Sequence, residues 1–116
     1  MPNNDYNSIN RLYTFELESV EELMVRISRQ VRDRRLERGL SREALSMMSG
    51  VPVSTLAKFE QKHVISLSQY VAIAKALGYS DQMKSLLAEP RYATQEELEQ
   101  INRNKSRRRG RNEFNR

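Results

Sequence analysis

The sequence predicts an all-α fold: a five-helix bundle over residues 19–89, preceded by an N-terminal extended arm (1–18) and followed by a short helix and a basic tail (90–116). Two observations predict it. Apolar residues recur at helical spacing, first at Leu23, Ile27 and Val31. Helix-start and helix-stop residues also alternate along the chain, with Ser19, Ser41 and Ser66 opening segments and Gly39, Gly50 and Gly78 closing them.

Each element follows from these signals. Residues 1–10 are polar and Asn-rich, and are expected to be mobile. Residues 11–17 are aromatic-rich and partly alternating, which allows a short strand with Tyr13, Phe15 and Leu17 on one side or an extended arm packed on the helices. Ser19 and Glu22 form a capping-box pattern for a first helix that ends near Arg38, with Met24 on its apolar stripe. Ser41 caps a second helix through Leu45 to Ser49, and Val51-Pro52 turns into a third over 53–61 that buries Leu56 and Phe59. Ser66 with Gln69 opens a fourth helix over 67–77, predicted to bury Tyr70, Val71, Ile73, Ala74 and Leu77. Ser80 or Asp81 caps a fifth, carrying Met83, Leu86 and Leu87 and stopped before Pro90. Thr94 with Glu97 predicts a helix over 95–102, and the charged run after it carries no apolar period and reads as disordered.

Composition narrows the function classes. The 116 residues contain no Cys and no Trp, so disulfides, zinc–thiolate sites and thiol redox chemistry are excluded. No run approaches the ~20 apolar residues of a membrane-spanning helix, and the first residues lack the basic and apolar regions of a signal peptide. A cytoplasmic protein fits this composition. Neither a nucleophile paired with a base, a phosphate-binding loop, nor a paired-acid site is visible, which argues against an enzyme; no cofactor and no metal are expected. The net charge is +5, unevenly spread: residues 1–89 hold 12 Lys/Arg against 11 Asp/Glu, and residues 90–116 hold 8 against 4. His63, the only histidine, is expected to be an exposed loop residue. Of Met47 and Met48, one is expected in the core, although together they could form an adaptable partner surface.

Residues 39–60 place two short helices around a turn at Gly50-Val51-Pro52, with Leu45, Val51 and Leu56 closing a small core. That is the helix-turn-helix pattern, whose second helix can lie in a DNA major groove. The matching residues are Arg35, Gly39-Leu40-Ser41, Leu45, Gly50-Val51, Ser54-Thr55-Leu56, Phe59-Glu60 and Ala74-Lys75-Ala76-Leu77-Gly78. On these, the stretch Arg32 to Leu77 resembles the Xre/Cro/CI helix-turn-helix family, which implies a lambda-repressor-like DNA-binding bundle. The resemblance implies that Val53, Ser54, Thr55, Ala57 and Lys58 form the face of a recognition helix. Arg42 stands where the family often has Gln against DNA, and Gln61 and Lys62 stand where it places an Asn-Gly loop on the backbone. Pro52 replaces the usual Ser/Thr cap. Arg35 and Glu60 align with a structural ion pair of related repressors.

A finer resemblance lies in Gly50-Val51-Pro52-Val53-Ser54-Thr55-Leu56-Ala57-Lys58-Phe59-Glu60, Ile65-Ser66-Leu67 and a Pro90-Arg91-Tyr92 segment leading to Arg107-Arg108-Arg109-Gly110-Arg111. This is similar to HipB-type antitoxins. It implies a homodimer on a palindromic double-stranded operator, repression of its own operon, and binding to a HipA-like kinase toxin. The alternatives are a stand-alone phage-type or restriction-control repressor, or an adaptor that uses the fold to bind protein. For Lys105, Arg107, Arg108, Arg109 and Arg111, three uses stay open: a solvated tail, non-specific phosphate contacts, or folding on a partner.

Overall fold

Six α-helices and no strand make up the regular structure among the described residues. The computed structural model describes the backbone of residues 17–114 and the side chains of residues 17–108. The expected arm or strand at 1–18 falls almost wholly outside them; Leu17, its one apolar residue within them, is exposed. The helices are α1 (Val20–Glu37), α2 (Arg42–Ser49), α3 (Val53–Lys62), α4 (Leu67–Ala76), α5 (Ser80–Ser85) and α6 (Gln95–Phe114). The chain divides into two compact units, with the boundary between Met83 and Lys84.

In the first unit the helix starts are fixed by local chemistry. The hydroxyls of Ser19, Ser41 and Ser66 accept from the backbone N–H three residues on, at Glu22 (3.0 Å), Ala44 (3.0 Å) and Gln69 (3.2 Å). Each satisfies a donor that the first helical turn leaves without a partner. α3 has no such side-chain cap because Pro52 occupies the position. Gly50 closes α2 at φ 75°, where a side chain would be strained, and its N–H donates to Ser46 O at 2.8 Å.

One cluster holds α1–α4 together: Val31, Leu45, Val51, Leu56, Phe59, Ile73 and Leu77, with Met24, Ile27, Leu40, Ile65 and Tyr70 packed against it. Leu45, Phe59 and Ile73 are wholly inaccessible. The Phe59 and Tyr70 rings meet edge to face, 6.3 Å between centroids.

The apolar pattern overstates the burial elsewhere. Val71, expected in the core, is on the exposed side of α4, because Ile73, Ala74 and Leu77 already fill its inner face. α5 stops at Ser85, short of Pro90, and buries no residue; Leu86 and Leu87 are exposed, and Leu87 has a positive φ of 63° that ends any helix there. Ser80 and Asp81 lie inside α5, and Tyr79 stands at the capping position with its carbonyl accepting from Met83 N–H at 3.1 Å. Met47 and Met48 are both exposed, so neither serves the core.

In the second unit, Thr94 caps α6 by accepting from Glu97 N–H (3.1 Å), while the Glu97 carboxylate accepts from Ala93 N–H (2.9 Å). The helix was expected to end near Asn102 and instead continues to Phe114. No Pro or Gly interrupts it before Gly110. Side-chain pairs one turn apart support it, Gln100 to Asn104 at 3.2 Å and Arg103 to Gln100 at 2.7 Å. A helix needs backbone hydrogen bonds and favourable propensity, not an apolar stripe.

Candidate nucleic-acid interface

α3 presents two different faces because its residues alternate in role at helical spacing. Leu56 and Phe59 point into the core. Ser54 and Lys58 are exposed, and Val53, Thr55 and Ala57 are half-buried. Gln61 and Lys62 at its end are exposed. The face left to solvent therefore offers two hydroxyls, one ammonium and two small apolar side chains. Such a set can bond phosphates and base edges and meet a thymine methyl.

A buried charge cluster fixes the angle of this helix. Arg35 on α1 grips the Glu60 carboxylate with two parallel bonds, Nε to Oε2 and Nη2 to Oε1, both 2.9 Å. Its Nη1 donates to Leu40 O at 2.8 Å. The Arg35 and Glu60 side chains are only 8% and 3% exposed, so the pair is taken almost wholly out of water. Arg42, at the start of α2, adds a third charge, donating from Nε and Nη2 to Glu60 Oε1 at 3.3 and 3.2 Å. Burial alone pushes the Glu60 carboxyl up, but hydrogen bonds and charge from Arg35, then Arg42, outweigh it and hold the group below the ordinary carboxylate range. Glu60 is thus an ionised structural group tying α1, α2 and α3 together.

A second tie was not anticipated from the sequence. His63 ends α3 in the left-handed region, φ 64°, and its Nδ1 lies 2.7 Å from Ser28 Oγ on α1. Ser28 is buried and spends its own proton on Val25 O at 2.8 Å. With that proton on Val25 O, the Ser28 oxygen accepts from the tautomer of His63 that carries hydrogen on Nδ1. His63 is a half-buried clamp, not an exposed loop residue. The signal lay in Ser28 itself: it interrupts the apolar stripe of Met24, Ile27 and Val31, and a polar group in a core register needs a partner. His63→Ala should lose both this bond and the residue suited to the left-handed cap, costing about 1–2 kcal/mol. His63→Gly should cost less, since glycine takes φ 64° freely. Urea unfolding of the two variants checks the order.

Lys105, Arg107 and Arg108 are exposed on α6, in the other unit; Arg109 and Arg111 belong to the same helix, and their side chains lie outside the described ones. Among the described residues no group of acidic or histidine side chains could hold a metal ion, and no helix is long and apolar enough to cross a membrane.

Two short helices around the Gly50–Pro52 turn, the second seated on α1 by a buried ion pair, agree with the result of comparison to known families: residues 31–82 match the family model Helix-turn-helix. This stretch is similar to helix-turn-helix domains. The match takes in α2, α3 and α4, the first half of α5 and the last two turns of α1. Neither the curated proteins nor the solved structures contain a match to the chain. A helix-turn-helix domain supports DNA binding and a role in regulating transcription.

Proposed function

We propose that the chain is a sequence-specific DNA-binding transcriptional repressor whose recognition helix is α3. The observation that carries this is the division of α3 itself: its inner face is locked by Phe59 and Glu60, while Ser54, Thr55 and Lys58 are left on the outer side, within a segment that matches the helix-turn-helix family. Val53 and Ala57 would meet base methyls, Ser54 and Thr55 bases or phosphates, and Lys58 guanine or phosphate, with Arg42, Gln61 and Lys62 on the backbone. The protein would act as a homodimer on a palindromic operator in the bacterial cytoplasm, its two recognition helices about 34 Å apart in successive major grooves.

The test is a triple variant, Ser54→Ala, Thr55→Ala and Lys58→Ala. These side chains are outside the core, so folding should survive while the preference for operator over random DNA collapses. Operator discrimination that survived all three changes would assign the groove to another element. In the same titrations, deleting residues 104–116 should flatten the dependence of affinity on salt, because Lys105, Arg107, Arg108, Arg109 and Arg111 would no longer displace counterions from phosphates. An unchanged slope would remove that role from the tail.

Resemblance of residues 50–67 and of the Pro90-to-Arg111 stretch to HipB-type antitoxins supports a narrower role, repression of the chain's own operon together with a HipA-like kinase toxin. Co-purification with the products of neighbouring genes, followed by sizing with and without DNA, tests it. A kinase retained on the dimer is the expected result. Its absence would leave a stand-alone repressor.

A further inference from the structure

Because α6 runs on to Phe114, its basic residues take fixed places around a helix axis. At about 3.6 residues per turn, Arg103 and Arg107 stand together on one flank, and Lys105 and Arg108 on the other. Gln100 and Asn104, one turn apart, share the line between the flanks. All six side chains are exposed. None of the four cations forms an ion pair among the described residues, although Glu96 and Glu97 occupy the first turn of the same helix. Arg103 Nη2 instead donates to Gln100 Oε1 at 2.7 Å, and Gln100 Nε2 donates to Asn104 Oδ1 at 3.2 Å. The two amides are thus strung along the helix between the cations. Like charges one turn apart, as at Arg103 with Arg107 and Lys105 with Arg108, oppose a helix. A ligand that brings anions to both flanks relieves that repulsion.

Such a ligand has two rows of anions with hydrogen-bonding edges between them. A flat anionic surface meets one flank of a helix and leaves the other in water. The DNA major groove, about 12 Å wide, admits a helix of about 10–12 Å diameter and sets a phosphate backbone on each side of it. A side-chain amide pairs a donor with an acceptor, which matches the N6–H and N7 of adenine. We infer that α6 is a second DNA-reading helix, with Gln100 and Asn104 on base edges in the major groove and the Arg103–Arg107 and Lys105–Arg108 pairs on the two backbones. The inference rests on the proposed DNA-binding role and goes beyond non-specific phosphate contact by the tail, because it assigns base recognition to two residues outside the helix-turn-helix segment. Neutralising the flanks also stabilises α6, so helical order and binding reinforce each other.

Selection of preferred duplexes from a randomised pool by the full chain tests this. The unaltered chain should enrich a palindromic block read by α3 and, apart from it, an adenine-containing block read by α6. Gln100→Ala with Asn104→Ala keeps every charge. It should erase only the second block, lowering discrimination at each of its adenines on the order of tenfold, and should leave the salt dependence of affinity unchanged. Ser106→Pro also keeps every charge but breaks α6 between the flanks. It should erase the same block, which a flexible cationic tail would not lose. A single block in the unaltered chain overturns the inference, as does a second block that survives either the paired amide changes or Ser106→Pro. Failure of the α3 reading is separate: the first block would then persist in the Ser54, Thr55 and Lys58 variant while the second still depended on Gln100 and Asn104. An unaltered chain that enriched no duplex would overturn both.

Discussion

Replacing Glu60 by alanine is expected to cost about 3–5 kcal/mol of folding stability, because it strands the sealed guanidinium of Arg35 with no counter-charge. A helical unit of this size is stabilised by roughly 3–10 kcal/mol in all, so Glu60→Ala should leave much of the population unfolded at ordinary temperatures. The two arginines should rank below it and in order. Arg35→Ala is less severe, since Arg42 remains beside the carboxylate, and Arg42→Ala is mildest, as expected of a partly exposed third charge. Replacing both buried partners, Arg35→Met with Glu60→Leu, should recover much of the loss, because no sealed charge is stranded: Arg42 can turn to water, and the Leu40 carbonyl loses one donor. Chemical denaturation across the four variants checks the ranking. The pH dependence has a fixed sign. Glu60 titrates below the ordinary range in the folded state, so its contribution is complete above about pH 4–5 and fades as the pH falls through the lowered folded value. Glu60→Gln should therefore be less stable than the parent at neutral pH and should lose less stability on acidification.

Local requirements explain what could be read from the chain before its structure. A serine at a helix start needs only the N–H three residues on, so Ser19, Ser41 and Ser66 mark α1, α2 and α4 within a residue or two. The inner face of α3 follows from spacing alone, as Leu56 and Phe59 are one turn apart. Contacts distant in sequence behave differently. Arg35 and Glu60 are 25 residues apart, and no period links them; the resemblance to repressors did. The Ser28–His63 bond spans 35 residues, and only the misplaced polarity of Ser28 hints at it. Leu86 and Leu87 carry an apolar signal yet are exposed, and the positive φ of Leu87, 63°, ends any helix there. Hydrophobic periodicity states which residues could be buried; the volume available decides which are. The candidate interface was legible for the same reason in reverse: once the core takes Leu56 and Phe59, the identity of α3's outer residues is fixed, although Arg42's attachment to Glu60 is a matter of geometry that spacing does not encode.

Phe59→Ala should be the largest loss from the apolar core, about 3–5 kcal/mol. The ring is fully inaccessible and meets Tyr70 edge-on, and the cluster around it spans α1, α2, α3 and α4. Its removal leaves a cavity that four helices would have to collapse together to fill, which their caps and the Arg35–Glu60 pair resist. The consequence for DNA binding can be distinguished from loss of contacts. Phe59→Ala leaves Ser54, Thr55 and Lys58 in place but lowers the fraction of molecules that present them on an ordered α3. Apparent affinity should fall by the fraction folded, recover at temperatures where the variant is folded, and keep the wild-type salt slope, since each folded molecule still meets the same phosphates. The triple α3 variant should do the opposite, with near-normal stability and an altered slope at every temperature. If Phe59→Ala shifted the slope while remaining folded, the ring would be acting on the interface directly, and the separation of α3 into a structural face and a reading face would be wrong.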